Sequence, residues 1–363
     1  MKYYLLMSIS VLILSCCSIT QNSTLPEFPV DIDQNISFPI SEIAEEITAI
    51  ELKLTDESLI NPDHITRIIH CDNAVIICEY DKILLFNTNG QFIRSIGSKG
   101  QGPGEYRVID NIAIDEKNRR LFVIASSKII CYDLEGNFLK QASFREPYDF
   151  DINYINNELL LLAEHWGEDK NGIIKHAMVY RLNDDLQNID SCLIRITYSE
   201  RLATIFSRIS YYLLYGNSMI YLYYPDNSIM ENPAEIVLRD TLYRFEQNQL
   251  FPELKLKFKN DGIDRGGNKF INLRNLYRSS RYIFAMYHNM KTRNYYYFCY
   301  DTKTGKGYNM QDGYTDDIHQ IEKRLTIHPL TTNTEMFYYW HTHMKPDDRE
   351  EPNPTLYIGR LKK

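Results

Sequence analysis

Two histidines one residue apart, His341 and His343, form the most chemically suggestive pair in the chain. Side chains on a strand alternate with period two, so an H-x-H presents both imidazoles on one side, the convergence a metal ion requires. His165 or His288 would supply a third ligand if the fold brought one there. Trp340 stands directly before the pair, and the other tryptophan of the chain, Trp166, directly follows His165. Imidazole beside indole also suits plain ligand recognition, because aromatic rings bury a large area at low entropic cost. Nucleophilic and phosphate chemistry find less support: the chain has no G-x-S-x-G, no H-E-x-x-H and no P-loop.

Charge narrows the partners. The chain of 363 residues carries 40 Lys and Arg against 48 Asp and Glu, a net charge of −8. Nucleic acid binding, driven by neutralising phosphates with basic patches, is not expected. Cys71, Cys78, Cys131, Cys192 and Cys299 lie mostly in apolar runs, an odd set without paired spacing. They read as small buried hydrophobes, and no C-x-x-C points to zinc.

The elements that must position these residues are strands. The 28 Tyr and 16 Phe suit a pleated surface. Ala74-Val-Ile-Ile-Cys-Glu-Tyr80, Lys82-Ile-Leu-Leu-Phe86, Asn89-Gly90 and Phe92-Ile-Arg-Ser-Ile96 read as strand, strand, turn, strand. The same order returns in Arg120-Leu-Phe-Val-Ile-Ala125, Lys128-Ile-Ile-Cys-Tyr132, Glu135-Gly136 and Phe138-Leu-Lys-Gln-Ala142. Between the copies lies Gly97-Ser-Lys-Gly-Gln-Gly-Pro-Gly-Glu-Tyr106, which with four glycines and a proline must be a shaped loop. Its glycines are expected to permit a tight path while Tyr106 packs between the two repeats and Glu105 accepts backbone donors. The alternative is anion capture by its amides, aided by Lys99.

This repeat resembles the blade of NHL-type β-propellers, and the loop resembles the Gly-x-Gly-Pro-Gly-Glu-Tyr signature of six-bladed propeller lipoproteins of Bacteroidetes. The detailed resemblance spans residues 47–145. It implies an all-β, six-bladed β-propeller and leaves activity open. Ile47-Thr-Ala-Ile-Glu-Leu-Lys53 alternates like a strand but has no local partner, whereas the C-terminal strands lack an outermost one. Residues 47–53 are therefore expected to complete the last blade, closing the ring without free edges. Blade one is placed at 65–96, blade two at 108–144, blade three at 150–196. Blade four uses 219–224, 241–245 and 254–258, blade five 282–287 and 295–300, and blade six runs from 325 to the C-terminus. A short helix is possible over 316–324.

The N-terminus has a cationic start, a short apolar core and Ile13-Leu14-Ser15-Cys16, which resembles a bacterial lipobox. That resemblance implies a signal peptide over 1–15, a lipid on Cys16, a tether over 16–35 and a propeller over 36–363. Loss of Lys2 with the signal takes the net charge to −9. Membrane contact would be through the lipid alone, and the lack of an aspartate after Cys16 or a nearby acidic cluster points to the outer membrane, facing the periplasm.

Loops after the second and fourth strands of a four-stranded blade leave on the same face. Topology thus gathers both tryptophans and four of the nine histidines on one face. The expected ligand site is His165, Trp166, His288, Trp340, His341 and His343, with no metal or cofactor assigned; the competing reading is that these rings close the ends of the blades. The function expected is a non-catalytic binding or scaffold propeller of the cell envelope, its partner an envelope protein or a small saccharide or peptide. The alternative is a metal-dependent hydrolase or lyase on the same face, since propeller lactonases and the amidating lyase carry axial metals. Fold alone does not choose between them.

Overall fold

Runs such as Val75-Ile-Ile-Cys78 are apolar at every position rather than at alternate ones. A strand of that kind must be covered on both faces, and stacking sheets around a ring achieves this. In the computed structural model, which describes residues 25–125, 127–143, 148–169, 172–199, 211–225, 240–264, 269–344 and 351–363, Val75, Ile76, Ile77 and Cys78 are fully buried. Cys71, Cys131 and Cys299 are buried free thiols as well, and Cys192 is half-buried.

The described residues form six blades, each an antiparallel sheet running from inner to outer strand. Blade one consists of Ile65–Cys71, Ala74–Glu79, Ile83–Asn87 and Phe92–Ser95. Blade two consists of Asn111–Asp115, Arg120–Ala125, Lys128–Asp133 and Phe138–Ser143. Blade three is built from Tyr148–Ile155, Glu158–Asp169, Gly172–Leu182 and Asn188–Ser199. Blade four contains Leu213–Gly216, Met219–Leu222, Thr241–Glu246 and Gln249–Phe258. Blade five contains Ile271–Arg278, Tyr282–Asn289, Asn294–Asp301 and Lys306–Gln311. His328–Leu330, Asn333–His341 and Thr355–Leu361 give blade six three strands.

The fourth strand of blade six comes from the other end of the chain. Ala44–Glu51 pairs antiparallel with Thr355–Leu361, with Ile47 opposite Gly359 and Ile50 opposite Leu356. The closure is the expected one, begun three residues earlier. Gly359 is required here by close approach: a Cβ at that position would stand 2.1 Å from the Phe337 ring.

Residues 27–30, which the sequence reading put in the tether, are instead a fifth strand. Glu27–Val30 pairs parallel with the end of the outer strand of blade four, Glu27 opposite Lys255 and Val30 opposite Phe258. Pro26 and Pro29 lack N–H donors, which an edge strand tolerates. Phe28 meets Tyr300 edge-on at 4.9 Å, and Val30 is buried. The chain then runs along blade five, where Asn309 donates from its backbone amide to Gln34 Oε1 and from Nδ2 to Gln34 O, and its carbonyl accepts from Ile36 N–H at 3.1 Å. Residues 27–51 thereby lace blades four, five and six together.

The axis is filled by a buried ion pair. Arg67 of the inner strand of blade one and Asp151 of the inner strand of blade three meet at 2.6 Å, with side chains 1% and 0% exposed. Asp151 also accepts from Asn111 Nδ2 of blade two at 3.1 Å and from the amides of Tyr212 and Leu213, leading into blade four, at 3.0 Å each. Tyr211 lies under the Arg67 guanidinium, 5.8 Å from its ring centre, and shares a 2.6 Å hydroxyl contact with Tyr338 of blade six. One carboxylate thus ties four blades, and Tyr211 connects them to the sixth.

Candidate functional site

The two histidines of the H-x-H stand together, although His343 lies beyond the end of the strand and strand alternation is not what pairs them. His341 ends the second strand of blade six, and its ring stands 4.6 Å from that of His343. Behind the pair lies a polar aromatic network. His343 Nε2 contacts the Tyr357 hydroxyl at 2.7 Å, Tyr357 stacks on Tyr339 at 4.7 Å, and the Tyr339 hydroxyl reaches His319 Nδ1 at 3.2 Å. Burial pushes the Tyr339 phenol above its usual range, and the Asp316 carboxylate adds to the effect. Burial also holds the His341 imidazole below its usual value, with His343 as the next contributor.

Trp340, on the other side of the same strand, stacks on His328 at 5.2 Å and on Tyr338 at 6.1 Å. His328, enclosed by Tyr211, Tyr338 and Trp340, is held down to about 3 by burial and stays neutral. Around this strand opens a cavity of about 450 Å3. Trp340, His341 and His328 line it together with Lys323, Arg324 and Glu351.

The segment 316–324, which the sequence allowed as a short helix, is a bent connection. The Asp316 carboxylate accepts from the amides of Ile318 and His319 at 2.9 Å each and of Ile321 at 3.4 Å, competing with helical bonding. That turn delivers His319 to Tyr339 and aims Lys323 and Arg324 at the cavity.

The remaining expected residues sit in their own blades. The second strand of blade three extends to Asp169, so His165 and Trp166 belong to a long hairpin rather than to a loop. Trp166 lies opposite Lys175, whose ammonium stands 4.5 Å from the indole centre, and its Nε1 donates to Glu164 at 2.9 Å. His165 contacts the Tyr180 hydroxyl. His288 lies opposite Tyr295, the rings 4.8 Å apart. Each residue is near the end of the second strand of its blade, but the close grouping is confined to blade six. Among the described residues no three His, Cys, Asp or Glu side chains assemble into a metal-ligating group.

His319, His328, Lys323 and Arg324 were not singled out from sequence. The first and last two lie in a connection with no repeat to register it. His328 begins a three-residue strand whose inward direction only the assembled ring defines.

The glycine-rich loop is a structural joint. Ser98–Lys99 pairs parallel with Glu105–Tyr106. The amides of Gly100, Gly102 and Gly104 donate to Tyr106 O, Glu105 Oε2 and Gln141 Oε1, so these three are committed within the fold rather than to an anion. Tyr106 is buried in the core shared by blades one and two and donates to Ile96 O at 2.8 Å. Gly97 adopts a φ of +71°, and a Cβ there would lie 2.7 Å from the Tyr106 ring.

The chain belongs to the family described as "Domain of unknown function (DUF4934)", which matches residues 25–356. No curated protein matches it in sequence. Its fold is similar to that of a protein described as exported from Bacteroides fragilis, with 16% identity and a TM-score of 0.62, over 94% of this chain and 100% of that one. More distant is the WD40 domain of Neurospora crassa Pan2, with 11% identity and a TM-score of 0.41, over 82% of this chain and 76% of that one. A protein of unknown function from Bacteroides caccae has 8% identity and a TM-score of 0.38, over 80% of this chain and 88% of that one.

Proposed function

We propose that this member of the DUF4934 family is an exported, lipid-anchored binding module that captures a small saccharide or peptide at the ends of its second strands, with the blade-six cavity as the principal seat. The observation that carries this reading is the cavity of about 450 Å3 in which Trp340 and His341 stand beside Lys323, Arg324 and Glu351. A flat indole offers a platform for a sugar or an apolar side chain, and the surrounding charges and imidazole fix orientation. The lipobox pattern, the loop's resemblance to propeller lipoproteins and the likeness to a protein described as exported support an envelope location. Cys16 and the residues after it as far as 24 lie outside the described residues, so the anchor rests on the lipobox pattern. In this reading the outer-membrane lipoprotein faces the periplasm, and His165, Trp166 and His288 extend the binding face.

The test is titration of the lipid-free chain (Cys16→Ser) against defined oligosaccharides and short peptides, beside a Trp340→Ala, His341→Ala variant. The expected result is saturable binding of one class, weakened at least tenfold in the folded variant. Binding that survives the double substitution unchanged overturns the assignment, and capture of an intact envelope protein in place of any small ligand makes the module a scaffold. Lipidation is checked by incorporation of a labelled fatty acid, abolished by Cys16→Ser. The hydrolase or lyase alternative draws on the His341 and His343 pair. Elemental mass spectrometry distinguishes it: near-stoichiometric transition metal, lost in His341→Ala with His343→Ala, would favour the enzyme.

A further inference from the structure

A cavity of about 750 Å3 opens between blades three and four on the face opposite the histidines, where the turns after first and third strands leave. That size lies within the range of small-molecule sites. Each wall carries one arginine beside one glutamate: Arg181 and Glu158 from blade three, Arg244 and Glu246 from blade four. Arg181 Nε stands 3.4 Å from Glu158 and Arg244 Nε 3.3 Å from Glu246, yet neither contact has hydrogen-bonding geometry. The next carboxylates are farther, Asp190 at 3.8 Å from Arg181 and Glu253 at 3.7 Å from Arg244. The two Nε atoms are enclosed, whereas the Nη groups are not, and the side chains are 24% and 31% exposed. Other arginines on this face have spent their forks: Arg120 donates twice to Asp115, and Arg281 grips both oxygens of Asp301.

A guanidinium only donates and an ionised carboxylate only accepts. Each wall therefore offers both kinds of group side by side with their charges already offset. With Asp190 the lining holds two cations against three anions, so an oxyanion gains no net attraction there. A hydroxyl donates and accepts at once, and adjacent hydroxyls on one ring serve both members of such a pair. We infer that this interblade cleft is a second binding site, for a neutral saccharide whose vicinal hydroxyls bridge Arg181 with Glu158 and Arg244 with Glu246. Met219, 38% exposed in the lining, gives the C–H face of the sugar an apolar contact. The walls are fixed before binding: Asn248 Nδ2, in the last turn of blade four, donates to Ser191 O of blade three at 2.8 Å, and the two blades share one hydrophobic core. The cleft stands apart from the blade-six cavity and does not depend on it.

The probes are neutral trisaccharides of glucose, mannose, xylose and galactose, with trigalacturonate and trialanine as charged and peptide controls. They are titrated by ligand-detected NMR and calorimetry into the lipid-free chain. At least one neutral trisaccharide is expected to bind saturably and more tightly than either control. Arg181→Met with Arg244→Met keeps the bulk, removes the donors and should weaken that sugar at least tenfold. Arg181→Lys with Arg244→Lys keeps the charges without the forks and should also weaken it, by less. Met219→Trp should narrow the cleft and reduce binding, whereas Trp340→Ala with His341→Ala should leave it unchanged. Folding of each variant is verified by circular dichroism. No saturable binding of any of the four trisaccharides, unchanged binding in the Arg→Met variant, or tighter binding of trigalacturonate or trialanine would each overturn the site. Sugar binding lost with Trp340→Ala and His341→Ala but kept in the arginine variants would overturn it too, while supporting the blade-six cavity; the reverse pattern would support the cleft and take the sugar away from blade six.

Discussion

Asp151→Ala is the substitution whose effect follows most directly from the geometry of the axis. The carboxylate accepts from four donors on three other blades: Arg67 Nη2 at 2.6 Å, Asn111 Nδ2 at 3.1 Å, and the amides of Tyr212 and Leu213 at 3.0 Å. Removing one partner of a buried ion pair costs about 3 to 5 kcal/mol, because the surviving charge stays in a low-dielectric site without its counter-charge. Neutral hydrogen bonds lost alongside contribute about 1 kcal/mol each and are not additive with it. The expected loss is thus about 4 kcal/mol, a large part of the stability of a typical domain. Asp151→Asn, which keeps an oxygen for the two amides but no charge, should fall between wild type and Asp151→Ala. The assay is urea unfolding followed by tryptophan fluorescence and far-ultraviolet circular dichroism, with agreement of the two probes as the check on two-state analysis. Arg67→Met with Asp151→Leu removes both charges and should be milder than Asp151→Ala alone. A loss below about 1 kcal/mol for Asp151→Ala, or a double variant as damaged as the single one, would refute the claim that this pair ties the blades.

Three further outcomes are expected. Gly359→Ala drives a Cβ to 2.1 Å from the Phe337 ring and should destabilise by about 1 to 3 kcal/mol, with faster proteolysis of the N-terminal segment and partial rescue by Phe337→Leu. The Glu79 carboxyl is raised to about 7, chiefly by burial, so the folded state binds the extra proton and stability falls as pH rises from 4.5 to 7; Glu79→Gln should flatten that slope in denaturation midpoints. His328 behaves in the opposite sense: with its pKa lowered from 6.5 to about 3, the unfolded chain takes the proton first and stability is lost as pH falls through that window. His328→Phe keeps a stacking ring and should remove that acid sensitivity, measured between pH 6.5 and 4.

The repeat, the ring and its closure are written locally in the chain. Val75-Ile-Ile-Cys78 and its counterpart in blade two show strands covered on both faces, and the unpartnered alternation at 47–53 called for a partner at the far end of the sequence. Gly97 to Tyr106 likewise carried its own explanation, since glycines and a buried tyrosine specify a path whatever else the chain does. His341 and His343 meet just past the end of a strand, two positions apart in the chain, so their nearness owes to sequence proximity rather than to strand alternation. What only the tertiary structure decided lies between blades. Arg67 and Asp151 are 84 positions apart, and no local pattern pairs them; their meeting follows from six inner strands sharing one axis. Nor did local pattern show that residues 27–30 would add to an open edge in blade four, because prolines and a lone phenylalanine resemble a linker until an edge is present to receive them. His328 acquires meaning in the same way: it is an ordinary residue in its own segment, and only the packing of blade five against blade six sets it between Tyr211, Tyr338 and Trp340.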